Sequence, residues 1–519
     1  TVRTVRPADR CSLYGAIIET ENFTISRHEI RMVYAALMTA TGLSALNGQM
    51  VSTALTTIIS DIGGIKAYTW VSTSYLLTST AATPLFGKFS DLYGRKKFTQ
   101  VAILIFLAGS LMCAVAPNMT LLVLARAVQG IGSGGAMAMS FIVIADLVPP
   151  RERGRYVGAF TSIFAVSSVA GPLIGGLIVD NTSWRWIFVV NVPFGIFALW
   201  MTQRHLRLPV IRRDTSIDRL GATLLVSGVA LLIIGLSWAP GHYGWASVQT
   251  LGMLAGTMVI ISVFLWWEPR ATNPIVPTHL FRNHTVQVMV PMVSLISAGM
   301  STVSAFMPLF LQAVTGVSPT NSGLLLVPMM IGMTLASTWV GRRVTITGHY
   351  RMWPIAGAAT GAFGMALVSM VGHSNGRIAV SLVGMGLMGL CVGATMPTST
   401  TAIQNSVAVA DLGVASSLSQ LCRNLASTVS LAAYGALLNG HLQGRVDPKL
   451  LRAPRHINDL PEPGRTDALD AISGAITNVF RWAVPLIVLA LVLTVMVREL
   501  PLREHAAFED ASVRETAAD

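Results

Sequence analysis

Charge is what this 519-residue chain has least of. Asp, Glu, Lys and Arg together make up 12% of it, about half of the roughly 25% carried by soluble domains. So little charge cannot clothe an aqueous surface, which argues against an ordinary soluble enzyme and against a disordered chain. Cysteine is scarce too. Cys11, Cys113, Cys391 and Cys422 are scattered with no CxxC spacing, so neither a disulfide framework nor a metal site is indicated, and the histidines are too few and dispersed to supply one. No GxxxxGKS/T loop is present, which removes direct ATP hydrolysis. The run Gly130–Gly135 lies inside an apolar stretch with no preceding strand, and reads as helix packing rather than a dinucleotide loop. No metal and no cofactor are expected. The net charge of +12 hints at nucleic acid, but most of the cations fall in short loops between apolar runs, so no nucleic-acid partner is expected.

What the chain has in excess is apolar residue. Hydrophobic types make up 52%, mean hydropathy is +0.61, and there are 46 glycines and 24 methionines. This composition suits closely packed membrane helices around an adaptable apolar cavity. A bilayer core needs about 20 apolar residues per helix. Fourteen stretches meet or approach that: 33–58, 68–87, 99–118, 120–145, 156–180, 185–203, 217–238, 250–267, 286–312, 320–340, 353–373, 377–397, 409–438 and 479–498. The first starts too deep and runs too long for a cleavable signal peptide. The predicted organisation is a tail at 1–32, a six-helix bundle at 33–203, and a linker at 204–285 carrying two further spans. A second six-helix bundle covers 286–498 and a tail follows at 499–519. The second bundle includes an outer loop, 439–478, which reads as irregular because it holds Pro448, Pro454, Pro461 and Pro463.

Placing the N-terminus in the cytoplasm puts 25 of the 36 Lys and Arg residues on that side and nine opposite, with Arg126 and Arg423 inside spans. Both termini are therefore predicted cytoplasmic, in a multi-pass protein of the plasma membrane. An internal repeat is visible as well. Gly87–Lys97 follows the second span and Gly341–Arg351 the tenth, each with two glycines seven apart and a basic cluster, at an offset of 254 residues. Parallel repeats of this kind are a transporter signature.

Four segments carry the candidate chemistry. In Gly87–Lys97, Gly87 and Gly94 permit a tight helix connection and close approach of a neighbour. Asp91 can lie against a helix N-terminus or an arginine, and Arg95 with Lys96 can pair acidic groups or lipid phosphates. Such a cluster can latch one gate state; a basic loop that only fixes orientation is the alternative. Arg126 lies within the fourth span with Gln129 beside it. A charge there costs about 2.5–3.5 kcal/mol on insertion scales, so it needs a polar partner or a water-filled cavity, unless it snorkels from the helix end. Arg423 is a second central candidate, or a hydrogen-bonding hub. In the fifth span, Gly171, Pro172, Gly175 and Gly176 predict a kinked, tightly packed helix.

These runs resemble motifs of the major facilitator superfamily. Gly87–Lys97 is similar to its G-x-x-x-D-x-x-G-R-K loop, and Arg126–Gly132 to its R-x-x-Q-G-x-G motif. Gly171–Gly176 is similar to the G-P-x-x-G-G motif of its exporters. Trp184–Gly195 resembles the W-R-W-x-F-x-x-N-x-P-x-G signature of the fourteen-spanner drug/proton antiporter branch; an interfacial aromatic belt would explain Trp184 and Trp186 equally well. Asn273–Pro277, Leu280–Arg282, Gly316–Pro319 and Leu326–Pro328 are similar to the same branch. The resemblance implies an all-α polytopic fold of two six-helix bundles plus two inserted helices. It implies a secondary exporter of amphipathic drugs in exchange for protons, with Arg126 and Gln129 tied to proton transfer. One departure stands out. The branch carries an acidic residue in its first helix, where this chain has Asn47. An amide cannot titrate, and no Asp, Glu or His lies near the middle of any span; Asp61, Asp146, Asp180, Asp218 and Asp411 all sit near span ends. Coupling then uses an edge carboxylate, follows a different proton step, or is not proton-driven. Asn47, Gln49 and Met300 are the candidate substrate-pathway residues. With no central carboxylate and two central arginines, a neutral or anionic amphiphile is favoured over a dication. A monomer in contact with membrane lipids is expected. The alternatives are an exporter of an endogenous lipid or metabolite, and a non-transporting sensor with the same fold.

Overall fold

The computed structural model describes residues 26–63, 68–206, 218–238, 243–315, 325–370, 375–442 and 464–503. Residues 1–25 and 504–519 of the predicted tails, with Cys11, and the Gly316–Pro319 run lie outside them. Among the described residues the chain is helical with no strand. The helices are α1 (Arg27–Ile62), α2 (Tyr68–Tyr93), α3 (Arg95–Ala114), α4 (Met119–Leu147), α5 (Pro150–Asn181), the one-turn α6 (Trp186–Val189), α7 (Asn191–His205), α8 (Arg219–Trp238) and α9 (Val248–Trp267). They continue with α10 (His284–Thr315), α11 (Val327–Thr347), α12 (Met352–Val368), α13 (Asn375–Ser406), α14 (Leu412–Leu442) and α15 (Gly464–Val495). Among these residues nine helices are long and apolar enough to cross a membrane.

Local chemistry sets the ends. Ser26 and Glu29 form a capping box that starts α1, Asn118 caps α4 through Leu121 N at 2.9 Å, and Ser247 caps α9. Each satisfies an amide that has no helical partner. Pro150 opens α5, where a missing N–H costs nothing. Gly94 alone separates α2 from α3, at φ +100°. Its repeat counterpart Gly348 ends α11 at φ +73°. A side chain is disfavoured at both, so the two repeat copies turn the chain by the same device.

The structure corrects two sequence expectations. The Gly87–Lys97 segment is helix on both sides of Gly94 rather than a loop, so Asp91 belongs to the last turn of α2 and Arg95 to the first of α3. The outer loop expected at 439–478 is helical at both described ends. α14 runs to Leu442, and α15 starts at Gly464, directly after Pro461 and Pro463. Proline punctuates a helix start as readily as a loop, and Ala468, Ile472, Ala475, Ile476 and Val479 bury one face of α15.

Packing divides the helices into two groups. α1 packs on α5 and α7, and α4 on α2 and α3; α13 packs on α11 and α12, and α10 on α14 and α15. Two apolar cores fill each group. The pair α8/α9 leans on α2 and α14 through Ile233, Leu421, Phe264 and Leu418. Its ends are tied together by Asp218, which accepts from Gly221 N and Trp267 Nε1, and by buried Glu268, which accepts from Val276 N. Large apolar side chains such as Leu104, Leu177, Met258, Trp339 and Trp482 are left exposed, as an acyl-chain environment requires.

Candidate functional site

The first polar centre is built inside the α1–α7 group. Three glycines let its helices meet. A Cβ on Gly130 would lie 2.5 Å from the Tyr75 carbonyl oxygen of α2, on Gly132 2.6 Å from Phe106 Cα of α3, and on Gly134 2.8 Å from the Ser79 carbonyl carbon of α2. The run packs α4 against two neighbours at once. Arg126, 2% exposed, is held at this junction. Its Nη1 donates to Asn47 Oδ1 at 2.8 Å and to Gln129 Oε1, its Nε donates to the Val71 carbonyl at 3.2 Å, and its guanidinium lies 4.0 Å from the Tyr75 ring centre. Gln129 Nε2 donates onward to Ser110 Oγ at 2.6 Å, which Asn191 Nδ2 also reaches at 3.2 Å. Tyr75 donates to Ser133 Oγ at 2.6 Å. Arg126 therefore does not snorkel: neutral acceptors and an aromatic face hold it in place. None of its hydrogen-bond partners is a carboxylate, so the net charge of the centre stays at +1.

The second centre joins the two groups. Gly87 of α2 and Gly413 of α14 cross so closely that a Cβ on Gly87 would lie 2.6 Å from Ser417 Oγ. A Cβ on Gly413 would lie 2.7 Å from both Asp91 oxygens and 3.0 Å from Arg95 Nη1. Asp91 thus faces the N-terminal end of α14, favourable for an anion, and is ion-paired to Arg95. Arg95 Nε also donates to Asp146 Oδ2 at 2.7 Å. Burial pushes the Asp91 carboxyl up to about 6 despite Arg95, and the charge of Asp146 adds to the rise. The matching crossing pairs α5 with α11, where a Cβ on Gly341 would lie 2.8 Å from the Gly154 carbonyl carbon. Ser337 Oγ donates to the Gly158 carbonyl at 3.1 Å, and Arg151 clasps the end of α11 through the Thr345 and Ile346 carbonyls. The two crossings exchange roles: Gly341 is the repeat counterpart of Gly87, and Gly154 faces it as Gly413 faces Gly87.

Gly171 and Gly175 of α5 pack on Gln49 and Met50 of α1, within the first group, and a Cβ on Gly176 would meet nothing within 4 Å. Gln49, Ser52 and Thr53 are exposed on α1. Polar side chains on an apolar helix are costly in lipid, so this face lines an aqueous cleft.

The structure brings some predicted residues together and separates others. Asn47 and Arg126 are bonded, whereas Gln49, two residues on, is exposed on α1. Met300 is half-buried between the two cores of the second group. Lys96 reaches the Gln203 carbonyl at 2.7 Å. Arg423 is 8% exposed and contacts the Met396 sulfur and, 5.8 Å away, the Phe141 ring. Trp184 is buried and donates to Asp61 at 2.8 Å, with Arg185 on the same carboxylate at 2.9 Å. An interfacial belt therefore describes exposed Trp186 but not Trp184. Gly154, Ser337, Gly413 and Arg151 were not singled out in the sequence. The repeat offset of 254 already pointed at Gly341, but its partner on α5 is visible only in the packing.

The family model of the Major Facilitator Superfamily matches residues 37–431. The chain belongs to the major facilitator superfamily. Its relatives within this superfamily include the multidrug transporter protein MdtP of Bacillus subtilis, 36% identical over 81% of this chain and 77% of that one. Another is multidrug resistance protein 3 of the same organism, 31% identical over 90% and 95%. Two solved superfamily structures share the fold: the human organic anion transporter MFSD10 (TETRAN), at TM-score 0.62 and 14% identity over 89% of this chain and 99% of that one, and the proton:xylose symporter XylE, at 0.56 and 15% over 88% and 95%. The chain is thus a multi-pass membrane transporter with multidrug efflux relatives, and not an enzyme.

Proposed function

We propose that the protein is a secondary active exporter of amphipathic small molecules, with fourteen spans, working by alternating access. The two packed groups rock as six-helix bundles about the cleft between them, and α8/α9 form the inserted pair. The observation that carries this reading is the asymmetry of the seam. One end is shut by the α2–α14 and α5–α11 glycine crossings, and the other opens onto Gln49, Ser52 and Thr53. With the basic side in the cytoplasm, the shut end is cytoplasmic and the open end faces outward, in a plasma-membrane protein with both termini inside.

Asp91, Arg95 and the two glycine crossings form the gate latch, and Lys96 anchors α3 beside it. Arg126 and Gln129 hold a fixed positive charge beside the pathway. Because neither Arg126 nor Arg423 has a carboxylate among its hydrogen-bond partners, the favoured cargo is neutral or anionic. Proton antiport then falls to edge carboxylates, and Asp91, raised to about 6 by burial at the seam, is the candidate beside the latch. The test is flux in vesicles loaded with dye or drug under an imposed pH gradient. Uphill movement that collapses with the gradient supports the reading. Movement of a lipid without drug flux would favour a lipid exporter, and no movement at all would favour a sensor.

A further inference from the structure

The inserted pair α8/α9 carries a carboxylate that neither the latch nor the Arg126 centre uses. Glu268 follows α9 in the short turn Glu268–Arg270 and is 2% exposed. Its Oε1 accepts from Val276 N, and the Ile275 N–H also faces it. Its Oε2 has no partner. That oxygen is aimed at the start of α8, where a Cβ on Gly221 would meet Asp218 Oδ2 and, 3.1 Å away, Glu268 Oε2. Two carboxylates thus converge on one glycine. Asp218 accepts from Gly221 N at 2.8 Å and from Trp267 Nε1 at 3.1 Å. The charged groups that act on Glu268 are Asp218 and, from α2, Lys88. Arg270 of the same turn is folded back on Trp266, 4.2 Å from its ring centre, and α14 contributes Leu418 and Cys422 to the apolar cluster beside it. A buried carboxylate with an unanswered oxygen is costly, and a second carboxylate beside it adds repulsion. One proton held between the two relieves both.

The same turn reaches the second group. Ile275 and Val276 are buried with Phe264 of α9 against Leu418 of α14, while Ile233 of α8 is buried with Ala81 of α2 and Leu421 of α14. Glu268 therefore holds, through Val276 N, the turn by which the inserted pair grips α14. A carboxylate accepts from an amide roughly twice as strongly as a neutral oxygen does. We propose that Glu268 and Asp218 form a proton-binding site whose occupancy sets how firmly the inserted pair holds α14. With Glu268 charged the turn is clamped and the pair ties α2 to α14. With the proton bound the clamp weakens and α14 is freer to leave α2. As a coupling site this rests on the antiport reading; as a proton-binding site it does not.

The test uses the purified full-length protein in liposomes. Infrared difference spectra recorded across pH follow the carbonyl stretch of protonated, buried carboxyl groups. The expected band appears at higher pH than exposed glutamates protonate and is absent in Glu268→Gln. In Asp218→Asn it appears only at lower pH, because the neighbouring charge is gone while asparagine still caps α8. Native Cys422 reports the grip. In a Cys11→Ser background, Glu268→Gln imitates the protonated carboxyl, and N-ethylmaleimide should alkylate its Cys422 severalfold faster than that of the parent at pH 8. The ratio should fall toward unity at pH 6; comparing the two proteins at each pH cancels the pH dependence of the thiolate itself. A band unchanged in Glu268→Gln, or equal alkylation of both proteins at every pH, overturns the proposal. Should Glu268→Gln fold poorly, Asp218→Asn decides alone, and an unshifted band overturns it. Dye efflux driven by a pH gradient in the same liposomes keeps the two readings apart. A titrating band without driven efflux in wild type removes the antiport and leaves the proton site. Driven efflux undiminished in Glu268→Gln leaves the antiport and removes the site from coupling.

Discussion

At the scale of single residues, the informative feature is a charge held by neutral groups. Arg126 has an amide oxygen where a carboxylate would normally balance it, with Asn47 Oδ1 at 2.8 Å. Truncating the arginine removes the donor to Asn47, Gln129 and Val71 together. We expect Arg126→Ala to abolish transport while the protein still reaches the membrane, measured as vesicle flux normalised to inserted protein; full activity would detach the network from transport. Asn47→Asp is the opposite experiment. It places a titratable anion against the guanidinium and neutralises the centre. The expected outcome is a pH profile of transport that differs from wild type, or a shift toward cationic cargo in a resistance panel. The importance of Arg126 was legible from its place in an apolar run, because a charge there must be answered. Its partners were not legible, since Val71, Tyr75 and Ser110 lie on other helices and carry no sequence mark.

At the scale of elements, glycine placement decides which helices touch. Gly130, Gly132 and Gly134 look alike in sequence, yet within about one turn of the same helix they face α2, α3 and α2 again. Gly413 illustrates the cost of filling such a contact. Its Cβ would lie 2.7 Å from both Asp91 oxygens, and overpacking of this kind costs about 1–3 kcal/mol. Because the clash exists only when α2 and α14 are crossed, Gly413→Ala penalises the shut state more than the open one. We expect increased labelling of a cysteine introduced on the cytoplasmic half of α14, and reduced drug efflux; unchanged labelling would place the crossing outside the gate. The misreading of 464–478 as loop belongs to this scale. Prolines upstream of the segment were weighted above the apolar face formed by Ala468, Ile472 and Ile476, which packing against α10, α12 and α14 makes worthwhile.

At the scale of the whole molecule, the burial of Asp91 links stability to pH. The ordinary Asp value is 3.8, and the buried Asp91 lies at about 6. A carboxyl raised by folding binds its proton more tightly in the folded state. Its contribution is complete below about pH 4 and is lost as pH rises through about 6. Lowering pH from 7 to 5 should therefore stabilise the folded state through this group. In wild type the melting temperature in detergent should gain from this step, and Asp91→Asn should flatten that part of the profile; an identical profile in the variant would remove Asp91 as the titrating group.

The sequence by itself determined that the chain is a bundle of membrane helices with an internal repeat and a transporter's motifs. Those properties follow from local quantities: hydropathy over about 20 residues, the spacing of basic loops, and the offset between Gly87 and Gly341. Only the tertiary structure decided that Asp91 meets α14, that Gly154 faces Gly341, and that Arg423 lies against Met396 and the Phe141 ring. Each of these depends on which helices lie side by side and how deep each one sits, and such relations are stored in the summed packing of many residues rather than in any run of neighbours along the chain.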